Sequence, residues 1–235
     1  MTTQGFDINE FVDGRGWDDN EAVGRYIEHL MELFADSPEA QAQRESGEFF
    51  SLFWVDTFLD HSMVSIGVSP PEMSAGDLRE VLFDLFPRKV STPGGFDGEK
   101  VVRTLRAFWS FLKREYGLPN AEACLQVLDD RMARLMDKEM NDPSNFGMAK
   151  TIVMTGAKRG FDMSKQEDVD RWVAIYNEEM TRDMAAFPGI GRPLPVPDDS
   201  ELPASTGLSH TRRTSGKERR KHKLAKSSRK KNRRK

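Results

Sequence analysis

All 22 aromatic residues of this chain lie between Phe6 and Phe187, and the last 27 positions hold none. Those last positions, residues 209–235, carry 14 of the 35 lysines and arginines and a single acid, Glu218. Such a segment has almost no apolar surface to offset the entropy lost on ordering a chain, so it cannot join a folded core. The other residues hold every aromatic and 37 acids against 21 bases. Any core must be built there. The formal charge of −3 is therefore a cancellation, with about +13 in one short segment and about −16 over the rest.

Between the two parts, Pro188, Pro193, Pro195, Pro197 and Pro203 fall among Gly, Asp and Ser, the composition of an extended linker. The expected organisation is an acidic helical domain over 1–187, a proline-rich linker over 188–208 and a disordered polybasic tail over 209–235. The first part is long enough for one sizeable core and rather short for two. A single cysteine, Cys124, excludes an internal disulfide framework and any Cys-cluster metal site, which suits a reducing compartment. No basic stretch followed by an apolar run opens the chain, so no secretory signal is expected. The densest apolar region, Phe49 to Ile66, is interrupted by Asp56, Asp60 and His61, and is too broken to cross a membrane.

The punctuation is helical almost throughout. Asp18 or Asp19 can cap a helix to about Ala35, and Ser37-Pro38 starts a short one. Glu48 to Val64 is apolar nearly all round and reads as a central buried helix. Ser74 opens a helix that Pro87 closes, and Gly98 to Tyr116 forms a helix ended by Gly117. Asn120 can cap the next, with a stripe of Cys124, Val127, Leu128, Met132, Leu135 and Met136. Asp142-Pro143 restarts the chain for a helix ended by Gly160. Ser164 and Glu167 fit a capping box for a last long helix. Thr151–Thr155 and Lys89–Thr92 are the best strand candidates, and both fit helix or loop better. No residue pattern repeats. The expected fold is all-α, an orthogonal bundle of six to eight helices.

Constellations for chemistry are sparse. Asp56 and Asp60 share a helix face, but His61 points about 100° further round, which spoils a three-ligand set. Glu28 and Glu32 flank His29, yet the Glu-x-x-His pattern of di-iron bundles is absent. The Asp7 region lacks the glycine of a calcium loop, and Gly147–Thr151 lacks phosphate-loop spacing. Asp129-Asp130 lacks the third aspartate of a diphosphate-Mg²⁺ site. Cys124 reads as a buried inert thiol, with no histidine base placed beside it. Met132, Met136, Met140, Met180 and Met184 read as core first and an adaptable groove second. No metal or cofactor is expected.

The tail is the sharpest functional feature. Arg212, Arg213, Lys217, Arg219, Arg220, Lys221, Lys223, Lys226, Arg229, Lys230, Lys231, Arg233, Arg234 and Lys235 can displace counterions from a nucleic-acid backbone. Arginines fork onto phosphates and lysines act as point charges. Without an aromatic, the tail offers no ring on which a base could stack. Secondary cationic candidates on the body are Arg88/Lys89, Arg103/Arg106/Lys113/Arg114 and Lys150/Lys158/Arg159. The expectation is a non-enzymatic accessory protein, with the tail on RNA (favoured over DNA) or ribosomal assemblies and the body on a protein partner. The alternative is an interaction module whose tail docks on acidic protein surface, its own or a partner's. A cytoplasmic location follows, or a nuclear one in a eukaryote, since the tail holds two basic clusters; membrane binding is not expected.

Overall fold

The computed structural model describes residues 5–12, 17, 19–46 and 50–186, with side chains to Arg182. The proposed boundaries at 187/188 and 208/209 lie outside them. Every regular element among the described residues is helical, and the fold is all-α. The residues group into two compact units: one up to Pro87 plus Phe96–Asp142, the other Arg88–Gly95 plus the residues from Pro143.

In the first unit, α1 (Asn20–Ala35) starts where the Asp19 carboxylate accepts from the backbone of Glu21 and Ala22. Helix α2 (Pro38–Glu45) has the expected Ser37 cap and first-turn proline. Helix α3 (Leu52–Asp60) runs on into a π-helical turn, His61–Ser65. A 3₁₀ turn (Pro70–Glu72) precedes α4, which starts as Ala75–Glu80, widens into a π turn at Val81–Leu85 and ends with Phe86–Lys89. Ser74 caps α4 in a reciprocal box with Asp77. Pro87 thus sits inside the last turn and does not close the helix at that point. Its ring has no N–H to give and conflicts with the carbonyl four residues back, and the π turn falls across that carbonyl.

Helix α5 (Gly98–Tyr116) is the hub. It packs against α2, α3, α6 (Ala121–Val127) and α7 (Asp130–Asn141), and buries Val101, Leu105, Phe108, Trp109 and Leu112. Each such side chain contributes about 1.5–3 kcal/mol when fully buried. The centre is therefore α5 and not the Glu48–Val64 segment. The latter presents Phe53 to solvent, 53% exposed, while burying Trp54, Val55, Phe58 and Leu59. Gly117 ends α5 in the left-handed conformation, φ 59°. Near the N-terminus, Phe11 is buried against Tyr26, and the Tyr26 hydroxyl donates to the Ile8 carbonyl at 2.9 Å.

The stretch read as one helix after Asn120 is two. Asp129 leaves the helical conformation and its carboxylate accepts from Met132 N at 2.7 Å, restarting the chain as α7. Asn120 does not cap α6; its amide nitrogen donates to the carbonyls of Pro70 and Met73. With that division the described residues hold nine helices.

The second unit holds a 3₁₀ turn (Pro143–Asn145), α8 (Met148–Lys158) and α9 (Gln166–Ala186). Pro143 nucleates only the 3₁₀ turn, and the helix begins after Gly147, whose N–H donates to Arg88 O. Thr151–Thr155 lies within α8, as helix. Gly160, φ 89°, ends the turn after α8. Ser164 does not form the expected capping box, because α9 begins at Gln166, which puts Lys165 at the cap position, and the Ser164 hydroxyl donates to Asp162 at 2.6 Å.

Candidate nucleic-acid interface

The fourteen tail cations, Arg212 to Lys235, lie outside the described residues, as does the proline-rich linker. The body cations can be placed. In α5, Arg103 pairs with Glu99 at 2.6 Å and Lys113 with Glu122 at 2.6 Å. Arg114 grips both oxygens of Glu39 at 2.7 and 3.1 Å and also reaches Glu115. That guanidinium holds the Glu39 carboxyl below the usual range. Arg106 is exposed and forms no ion pair among the described residues. Arg103 and Arg106 border a shallow cleft of about 380 Å³, but Glu39, Glu99 and Asp130 line it too. Carboxylates outnumber cations there, which disfavours a phosphate.

Lys150 does not belong to a surface patch, because it is buried (0% exposed), with its ammonium 4.3 Å from the centroid of the Phe146 ring. Desolvation pulls its pKa down to about 8. Lys158 and Arg159, both exposed, remain at the surface.

Those two residues border a second cleft, of about 400 Å³, between α8 and α9. Thr155, Lys158 and Arg159 recur at i, i+3 and i+4 along α8; Trp172, Tyr176 and Glu179 recur at i, i+4 and i+7 along α9. Trp172 is fixed by donation from its indole nitrogen to the Ile152 carbonyl at 2.8 Å, and by Phe161 at 5.5 Å between centroids. The Arg159 guanidinium lies over the Trp172 ring at 4.8 Å and pairs with Glu179 at 2.7 Å. The pairing lowers the Glu179 carboxyl and raises the Arg159 pKa. Tyr176 meets Trp172 edge-on at 5.7 Å and is half-buried. Gly156 makes the close approach possible, since a Cβ there would run into the indole. In the sequence, Lys158 and Arg159 fall in a candidate cationic patch, whereas Trp172 and Tyr176 fall within the last long helix with no role assigned. The two facing spacings were the signal that could have joined them.

The other candidates do not converge. His61 is buried with its ring edge-on to Phe86 and Nδ1 3.2 Å from the Asp60 carboxylate. Asp60 is half-exposed, and Asp56, one turn earlier, is half-buried. Glu28, His29 and Glu32 are exposed, with His29 against Phe6. Among the described residues no group of three His, Cys, Asp or Glu side chains could hold a metal ion. Cys124 is buried, and desolvation, then the charge of Asp77, pushes its thiol up to about 12, so it is inert. Met132, Met136 and Met140 are core, whereas Met180 is exposed; the Met184 side chain lies outside the described residues. No helix among the described residues is long and apolar enough to cross a membrane. No protein-family model, curated protein or solved structure matches the chain.

Proposed function

We propose that the protein is a nucleic-acid-binding accessory factor, engaging RNA phosphates through residues 209–235 while its helical body meets a protein partner. One observation carries this reading: 14 cations and one acid within 27 residues that contain no aromatic. That charge density is what counterion release needs, and it requires no fold. The body supports the division of labour. It is strongly acidic, and Arg103, Lys113, Arg114 and Arg159 are each committed to a neighbouring carboxylate. For the protein partner, the exposed Phe53 ring stands 4.9 Å from Trp54, whose ring also meets Phe96 at 5.5 Å.

The test is RNA binding by the full chain and by residues 1–208 across a salt series. Steep salt dependence is expected for the full chain, its log–log slope counting the phosphate contacts. Deleting 209–235 should abolish it and, at salt high enough to screen the body's charge, leave the thermal midpoint unchanged. Salt-sensitive binding retained by 1–208 overturns the proposal. A full chain that ignores RNA but changes shape with salt in a tail-dependent way supports docking of the tail on acidic protein surface instead.

A further inference from the structure

We infer that the α8–α9 cleft is a stacking site for a base of single-stranded nucleic acid, with Lys158 taking the adjoining phosphate. The inference rests on the nucleic-acid reading of the tail and supplies what the tail lacks. Fourteen cations without a ring attract phosphates but do not distinguish a strand with accessible bases from a duplex. The cleft has the missing component.

The Arg159 guanidinium is held over the Trp172 ring, at 4.8 Å from its centroid, and by the ion pair with Glu179 at 2.7 Å. Its side chain is nonetheless 50% exposed, so the plane is fixed without being covered. Unpaired bases stack on such planes as well as on aromatic rings. Because the ion pair and the indole already order this arginine, little side-chain entropy is lost when a base settles on it. Tyr176, half-buried on the opposite helix, supplies an aromatic edge or face, and its hydroxyl makes no hydrogen bond among the described residues. Lys158, exposed and without an ion pair among the described residues, stands one position before Arg159 at the rim. Lys158 and Arg159 against Glu179 leave the cleft with one net positive charge, unlike the carboxylate-rich cleft on α5. A volume of about 400 Å³ accommodates a nucleobase and its sugar. The helix that carries Trp172, Tyr176 and Glu179 is also the last one among the described residues, and residues 209–235 follow it in the chain. A strand captured by the tail is therefore joined covalently to the cleft through about 22 residues of chain, which raises its local concentration there.

The experiment uses the full chain and three short ligands of equal phosphate number: single-stranded RNA, its duplex, and an abasic strand. The single strand should bind at least about fivefold more tightly than the abasic strand, the lower end of what one stacked base contributes. Tyr176→Leu and Arg159→Lys, which keep the charge, should each shrink that preference with the salt slope unchanged. Lys158→Ala should reduce the slope by about one. Equal affinity for the base-bearing and abasic strands overturns the stacking site, and needs no variant to be read. In that case tail-dependent, salt-sensitive binding would still stand, so the two readings fail separately. Absence of binding to all three ligands overturns both.

Discussion

At Gly98 the first turn of α5 meets α7. The backbone N–H donates to Asp137 Oδ1 at 2.6 Å, and a Cβ would collide with the Ala133 carbonyl oxygen. Gly98→Ala should therefore destabilise the protein by about 2 kcal/mol despite the better helix propensity, because backbone cannot yield as a side chain can. A lower urea midpoint at unchanged m-value is the readout. Lys150 has a different signature. Its folded-state pKa is about 8 against an ordinary 10.5, so the unfolded chain binds more proton between those values. Stability is therefore lowered below pH 8, rises through that window and is fully recovered above it. Lys150→Met should remove this pH dependence, so that its stability relative to the parent chain falls as pH rises from about 8 to about 10.5 in a thermal-melt pH series. Neither site was legible beforehand. Gly98 reads only as a helix start, and Lys150 reads as a surface cation, because the spacing of a helix does not reveal which turn a neighbour covers.

Elements were more legible, because caps act locally. Asp19, Ser37 and Ser74 cap the helices that they were expected to cap, each through its own oxygen. Asp129 is not legible as a cap in the sequence, because the apolar stripe from Cys124 to Met136 continues across the break. Asp129→Ala should cost about 1 kcal/mol, seen as a lower melting temperature, since Met132 N loses its acceptor. The α2–α5 link gives an acid-side prediction. Arg114 depresses the Glu39 carboxyl, so the pair's contribution is complete above the ordinary glutamate value of 4.5 and is lost as pH falls through the lower folded value. Arg114 is half-exposed, so solvent screening keeps this to roughly 0.5–1 kcal/mol. Arg114→Gln should flatten the acid limb of a stability–pH profile by that amount. The π turns at His61–Ser65 and Val81–Leu85 were not legible. They pack against each other, and only the second has a local cause, Pro87, four residues beyond a carbonyl within it.

On the scale of the whole molecule, charge is segregated along the chain, and this makes its own prediction. Residues 1–208, with a net charge of about −16, repel themselves at low ionic strength. Added salt should raise their melting temperature; equal salt responses for 1–208 and the full chain would mean that the tail leaves the body's field untouched. The all-α class, the helix caps and the separation of an acidic aromatic body from a polycationic tail were determined by the sequence alone. Each depends on local backbone chemistry or on composition, and neither needs a distant neighbour. The hub role of α5, the burial of Lys150 and the meeting of Arg159 with Trp172, Tyr176 and Glu179 were decided only by tertiary structure. Those depend on which faces of separate helices come within contact distance, and dispersion and desolvation act over that distance, not along the chain.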